Sequence, residues 1–77
     1  MNEVIAIIKE AVTDLEKSYG IKLHIKHYKC TSRGRYHEGF FSNDRGYSFM
    51  ITYQKGDMIP LVNGSTPKGY VYTSKYP

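Results

Sequence analysis

Three residues spaced three apart, His24, His27 and Cys30, are the first whose types could bind a metal. Imidazole and thiolate are zinc ligands, but a structural zinc site takes four of them. Only three stand here, and the second cysteine pair of a zinc finger is missing. The residues around them alternate like a strand, in which positions three apart point to opposite faces. No metal and no cofactor are expected. A second set contains the types a metal-independent ribonuclease uses. His37 or His24 would be the base, Glu38 the acid, and Arg33, Arg35 and a tyrosine the phosphate contacts. His37 and Glu38 are adjacent, so a regular strand sends them to opposite faces. Cys30 reads as a small half-buried residue rather than a nucleophile. Gly34, Gly39 and Gly46 fall in a loop, a strand and a hairpin turn, so no phosphate-cradling loop joins a strand to a helix. The chain is expected to be non-enzymatic.

The stretch with a clear chemical character is Ile21–Tyr36. It carries Lys22, Lys26, Lys29, Arg33 and Arg35 and no acidic residue. Alternation sets Ile21, Leu23 and Ile25 on one side and Lys22, His24, Lys26 and Tyr28 on the other. The second side, beside Tyr36, Phe40 and Met50, is the expected binding face. Cations track a phosphate backbone and rings stack on bases. Lys29–Arg35 would form a basic loop pivoting on Gly34.

The elements that must hold this segment are readable. Asn2 is placed to cap a helix starting at Glu3. Val4, Ile5, Ile8, Ala11, Val12, Leu15 and Tyr19 fall within an arc of roughly 120° on a helical wheel. Gly20 ends that helix. Tyr36–Phe41 and Tyr47–Gln54 read as a hairpin joined by Ser42–Gly46. If Phe41 pairs with Tyr47, then Gly39 lies opposite Phe49 and His37 opposite Ile51. Met58–Val62 reads as a short edge strand confined by Pro60. Asn63-Gly64 and Pro67-Lys68-Gly69 read as turns, Tyr70–Ser74 as a last strand, and 75–77 as a frayed end. The expected fold is α+β: one N-terminal amphipathic helix packed on a curled antiparallel sheet of three to five strands, α-β-β-β with short C-terminal strands.

Composition bounds the rest. The chain has 77 residues, which are expected to make one domain, 1–77, with a thin margin of stability. Dimerisation or a docked partner would supplement it. The single cysteine excludes an intrachain disulfide and suggests a reducing compartment. The apolar run Val4–Ile8 is too short for a signal peptide, and no stretch approaches a membrane span. A cytoplasmic protein without membrane contact is expected. The net charge of +4 is uneven: residues 1–16 hold four acids against Lys9, and residues 17–77 hold ten Lys/Arg against three acids. That balance favours an acidic partner. There are eight tyrosines and no tryptophan, which suits half-buried sheet positions and interfaces.

In order alone, helix-strand-strand-strand is similar to the first part of double-stranded-RNA-binding domains and of small HicA-type toxins. Both families continue with a helix, where this chain continues with Asn-Gly, Pro and Tyr-rich turns. The expected function is a small basic binding module that contacts nucleic acid through Lys22, His24, Lys26, Tyr28, Lys29, Arg33, Arg35 and Tyr36. The alternative is a phage- or mobile-element-encoded inhibitor, anti-CRISPR-like or otherwise counter-defensive, that docks on an acidic protein surface. A small ribonuclease stands third.

Overall fold

The computed structural model describes residues 2–73. The expected cap by the Asn2 side chain, the last residue of the expected strand Tyr70–Ser74 and the expected frayed end at 75–77 lie outside the described residues. The order is α1 (Asn2–Tyr19), β1 (His24–Thr31), one 3-10 turn (Ser32–Gly34), β2 (Tyr36–Ser42), β3 (Ser48–Gln54), β4 (Leu61–Thr66) and β5 (Gly69–Thr73).

The helix buries the stripe that its spacing predicts. Ile8 is buried, and Val4, Ala11, Val12 and Leu15 pack half-buried against the core. Ile5 and Tyr19 lie at the margins and stay partly exposed. Gly20 ends the helix with a positive φ of 64°, which a glycine adopts without steric cost. The Ile21 amide returns to the Glu16 carbonyl at 3.1 Å. The Glu16 carboxylate then accepts the Leu23 amide at 2.9 Å, so the last turn of α1 aims the chain into β1.

The five strands run in the order β1-β2-β3-β4-β5, each antiparallel to the next. Alternation decides which face is buried. His37, Gly39 and Phe41 on β2, Phe49, Ile51 and Tyr53 on β3, and Val62 on β4 turn towards the helix layer. Phe49 and Ile51, on the central strand, are fully buried, and α1 makes its contacts there. Among the described residues the opposite face has no second layer. The shortest dimension, 18 Å, is that of one helix on one sheet.

The structure corrects four expectations. The sheet is not curled: it stays open, and β1 and β5 form two separate edges. Strong curvature takes bulges or glycine kinks repeated across strands. Among the described residues the ladders shift register only between Ile25 and His27. The hairpin register is displaced by two residues from the expected one: Phe41 pairs with Phe49, Gly39 with Ile51 and His37 with Tyr53. The cause is the longer loop. The Asn43 side-chain oxygen accepts the amides of Arg45 at 2.8 Å and Tyr47 at 3.2 Å, which keeps Tyr47 out of the ladder. The shift is even, so the buried faces are unchanged. Asn63-Gly64 is not a turn but lies inside β4. A Cβ at Gly64 would meet the Ser48 carbonyl and come within 2.7 Å of Phe49 Cδ1, so glycine is there to let β4 pass the central ring. Met58 and Ile59 are not part of an edge strand; they lie in the exposed connection before β4, which is an interior strand.

Candidate functional site

The basic stretch forms an edge. All eight residues of β1 are exposed, because only one of its sides has a neighbouring strand and α1 sits over β3. The bulge decides which way its side chains lie. His24 pairs with Ser42 and Ile25 with Phe41, Lys26 is the extra residue, and His27 pairs with Phe40. From there the alternation is reversed relative to the uninterrupted strand expected from the sequence. Tyr28 and Cys30 pair with Gly39 and His37 on the helix side, while His27 and Lys29 pair with Phe40 and Glu38 on the open side. Two expectations therefore fall. Tyr28 is not on the open face, and His24 and His27 do not point to opposite faces. Ile25, expected under the helix, is 59% exposed. Among the described residues no group of three or more His, Cys, Asp or Glu side chains is placed to hold a metal.

On the helix side, Tyr28 takes part in the chain's clearest polar cluster. Its hydroxyl lies 2.7 Å from His37 Nδ1, and His37 Nε2 lies 2.9 Å from the Gly34 carbonyl. A carbonyl only accepts, so Nε2 carries the proton and Nδ1 accepts from the Tyr28 hydroxyl. Cys30 Sγ stands 4.0 Å from the same Nε2. Burial, and then the Cys30 sulfur, push the Tyr28 phenol above its ordinary pKa of 10.0. His37 is 2% exposed. It acts as a pin between β1, β2 and the basic turn rather than as an outward-facing group. His37 and Glu38 lie on opposite faces, as strand alternation requires.

That pin holds a bent turn. Arg33 sits in the left-handed region at φ 57°, ψ 40°, and Gly34 follows at φ 84°. A left-handed non-glycine residue costs about 1–2 kcal/mol, which the Gly34–His37 bond helps to offset. The Arg33 and Arg35 side chains are exposed, and Tyr36 is half-buried on the open side opposite Gln54. Lys22 precedes β1; its carbonyl accepts the Asn43 side-chain amide at 3.0 Å. Lys29 is 3.8 Å from Glu38. This is a surface pair of small energetic weight. The structure thus strings Lys22, His24, Lys26, Lys29, Arg33 and Arg35 along one edge and turn, and sets Tyr28 apart from them.

Charge is unevenly divided between the helix and the rest of the sequence. The helix carries four acids against Lys9 and Lys17, while the rest of the chain carries nine Lys/Arg against Glu38, Asp44 and Asp57. The open face holds Phe40 and Met50, as expected, and also His27, Asn63, Tyr70 and Tyr72, which were not expected there. His27, Phe40, Met50, Asn63 and Tyr72 are register partners in one line across all five strands. Tyr70 and Tyr72 are 76% and 62% exposed. The alternation Tyr70-Val71-Tyr72, with Val71 on the core, was the signal for them. Beside β1 on the helix side, an apolar groove runs between Ile5, Ile8, Lys9, Ile25, Tyr28 and Phe41.

No helix among the described residues is long and apolar enough to cross a membrane. No family model, curated protein or solved structure matches this chain.

Proposed function

We propose that this chain is a non-enzymatic binding module that contacts nucleic acid along β1 and the turn after it. One observation carries the reading: an edge strand exposed at every residue leads into a pinned turn, and together they hold Lys26, Lys29, Arg33 and Arg35, with Glu38 the one facing acid among the described residues. Cations ranged along an edge suit a repeating phosphate backbone. The rings of the adjoining open face suit bases. Four of the seven acids lie on the helix, and Glu16 and Asp44 come near only the start of this edge, beside Lys22 and His24.

The test is a triple charge reversal, Lys26→Glu, Arg33→Glu and Arg35→Glu, at three exposed positions. Binding to a labelled oligonucleotide should be lost while the circular dichroism spectrum is unchanged. Wild-type affinity should fall steeply with salt, in proportion to the number of phosphates neutralised. Equal retention of wild type and triple variant on nucleic acid would sink the reading.

The apolar groove between α1 and β1 favours a second reading, a protein that binds and blocks another protein. A free edge strand beside an apolar groove, with Lys9 at its rim, suits an extended acidic segment. Stoichiometric capture of one protein from a lysate, with no bound nucleic acid at low salt, would favour it over the first.

A further inference from the structure

We infer that the ligand is single-stranded and that its bases lie across the sheet on the line His27–Phe40–Met50–Asn63–Tyr72; this rests on the nucleic-acid reading above. The register places these five residues side by side, one per strand, on the face without a helix. Neighbouring strands lie about 4.8 Å apart, so the line spans roughly 19 Å. Three of the five are rings, one is a thioether and one is an amide. His27, Phe40 and Tyr72 are exposed, and Met50 and Asn63 are half-buried. A comparable aromatic sheet face takes two or three bases.

The neighbouring line has a different composition. His24, Ser42, Ser48, Ser65 and Tyr70 are partners across the same five strands. Its middle is three hydroxyls, which donate to phosphate oxygens and to a ribose 2′-hydroxyl. A ring-bearing line beside a hydroxyl-bearing line matches a strand whose bases lie on one side and whose sugars and phosphates lie on the other. Lys26, the extra residue of β1, falls between the two lines at the basic edge.

Asn63 adds a polar feature at the centre. Its Oδ1 is a buried side-chain acceptor with no hydrogen-bond partner among the described residues. Buried acceptors are normally paired; this one is covered, so a base reaches it only when the amide turns outward. An amide within a line of rings is the group that reads the edge of an unpaired base.

A duplex fits this surface poorly. Its major groove admits a helix or a two-stranded ribbon. The one helix here is the acidic layer on the other side of the sheet, and the basic element is an edge hydrogen-bonded into a five-stranded sheet. A second copy of the chain also fits poorly, because the face alternates rings with Ser42, Ser48, Ser65, Thr52 and the Lys29–Glu38 pair instead of forming an apolar core.

The experiment is fluorescence anisotropy with a labelled ten-nucleotide oligoadenylate, as RNA and as DNA, and with a blunt duplex of the same length. The proteins are wild type, Phe40→Ala, Tyr72→Ala, Phe40→Trp and the triple charge reversal, each checked for folding by circular dichroism and for self-association by gel filtration. Each alanine variant should weaken single-strand binding by about 5- to 150-fold, as loss of one stacked base does. Phe40→Trp should retain binding, and the duplex should bind weakly and indifferently to the ring variants. Full-strength binding by both alanine variants, or tighter duplex binding, with loss in the triple variant, overturns this inference and leaves the nucleic-acid reading standing. No binding of any probe at low salt overturns both. A dimer that Phe40→Ala or Tyr72→Ala dissolves, with no nucleic acid bound, assigns the face to a second copy and overturns the inference.

Discussion

Strands β1 and β3 are close in length and opposite in treatment. β3, Ser48–Gln54, alternates buried and half-buried positions and holds Phe49 and Ile51 fully out of water. β1, His24–Thr31, is exposed throughout. Both contain apolar residues, with Phe49, Ile51 and Tyr53 alternating in β3 and the alternation interrupted by the bulge in β1. The difference is place in the sheet: β3 has a neighbour on each side and the helix above, whereas β1 has one neighbour and no cover. Stability is therefore concentrated at the centre, and chemistry that needs access to solvent is concentrated at the edge.

The largest effect should come from the centre. Phe49→Ala should cost about 3–5 kcal/mol. A chain of 77 residues has a total of about 4–12 kcal/mol to lose. Thermal or urea unfolding should show a variant at or near complete loss of structure; a shift below about 1 kcal/mol would break the contrast between the strands. Tyr28→Phe tests the inner side of β1. It removes the bond to His37 Nδ1 and should cost about 1 kcal/mol at neutral pH. Its pH dependence has a defined sign. The folded chain holds the Tyr28 proton above 10.0, so this group's contribution is complete below pH 10.0 and is lost as pH rises beyond it, where the unfolded chain releases the proton first. The fall in Tm from about pH 9 to about pH 11 should be shallower in Tyr28→Phe than in wild type. Equal slopes would show that Tyr28 is solvated in the folded protein. The smallest effect should come from the outer side of β1. Lys29→Ala breaks only the surface pair with Glu38 and should change stability by less than about 1 kcal/mol, measured by urea titration at low and high salt.

The same contrast explains what was legible in the sequence. Period 3.6 announced α1 and its buried stripe, and period 2 announced the inner faces of β2 and β3, because water leaves a regular trace on elements it half covers. The bulge at Lys26 left no such trace. One extra residue in an exposed strand changes no burial pattern, yet it moved Tyr28 and Cys30 to the helix side and brought His24 and His27 to the same face. Asn63-Gly64 misled for a different reason. The dipeptide is a good turn, but here glycine answers to the Phe49 ring beneath it, a contact with a residue distant in the chain. The absence of curl was equally hidden, since open and rolled sheets share the same alternation. The cations of the candidate site were plain from their types. Phe40 and Met50 were placed on the open face by alternation, but their alignment with Tyr72 was not legible, because Phe40 and Tyr72 are linked only through the register of the strands between them.

The unequal charge of the helix and the basic edge has a consequence for encounter. A net-acidic helix beside a basic edge strand and basic turns gives the molecule an uneven distribution of charge. A highly charged polymer would exert a torque on it before any side chain touched. The basic edge and turn would tend to lead, so fewer collisions would be wasted on the wrong orientation. Added salt would blunt that alignment over the same range of distances as it screens the attraction.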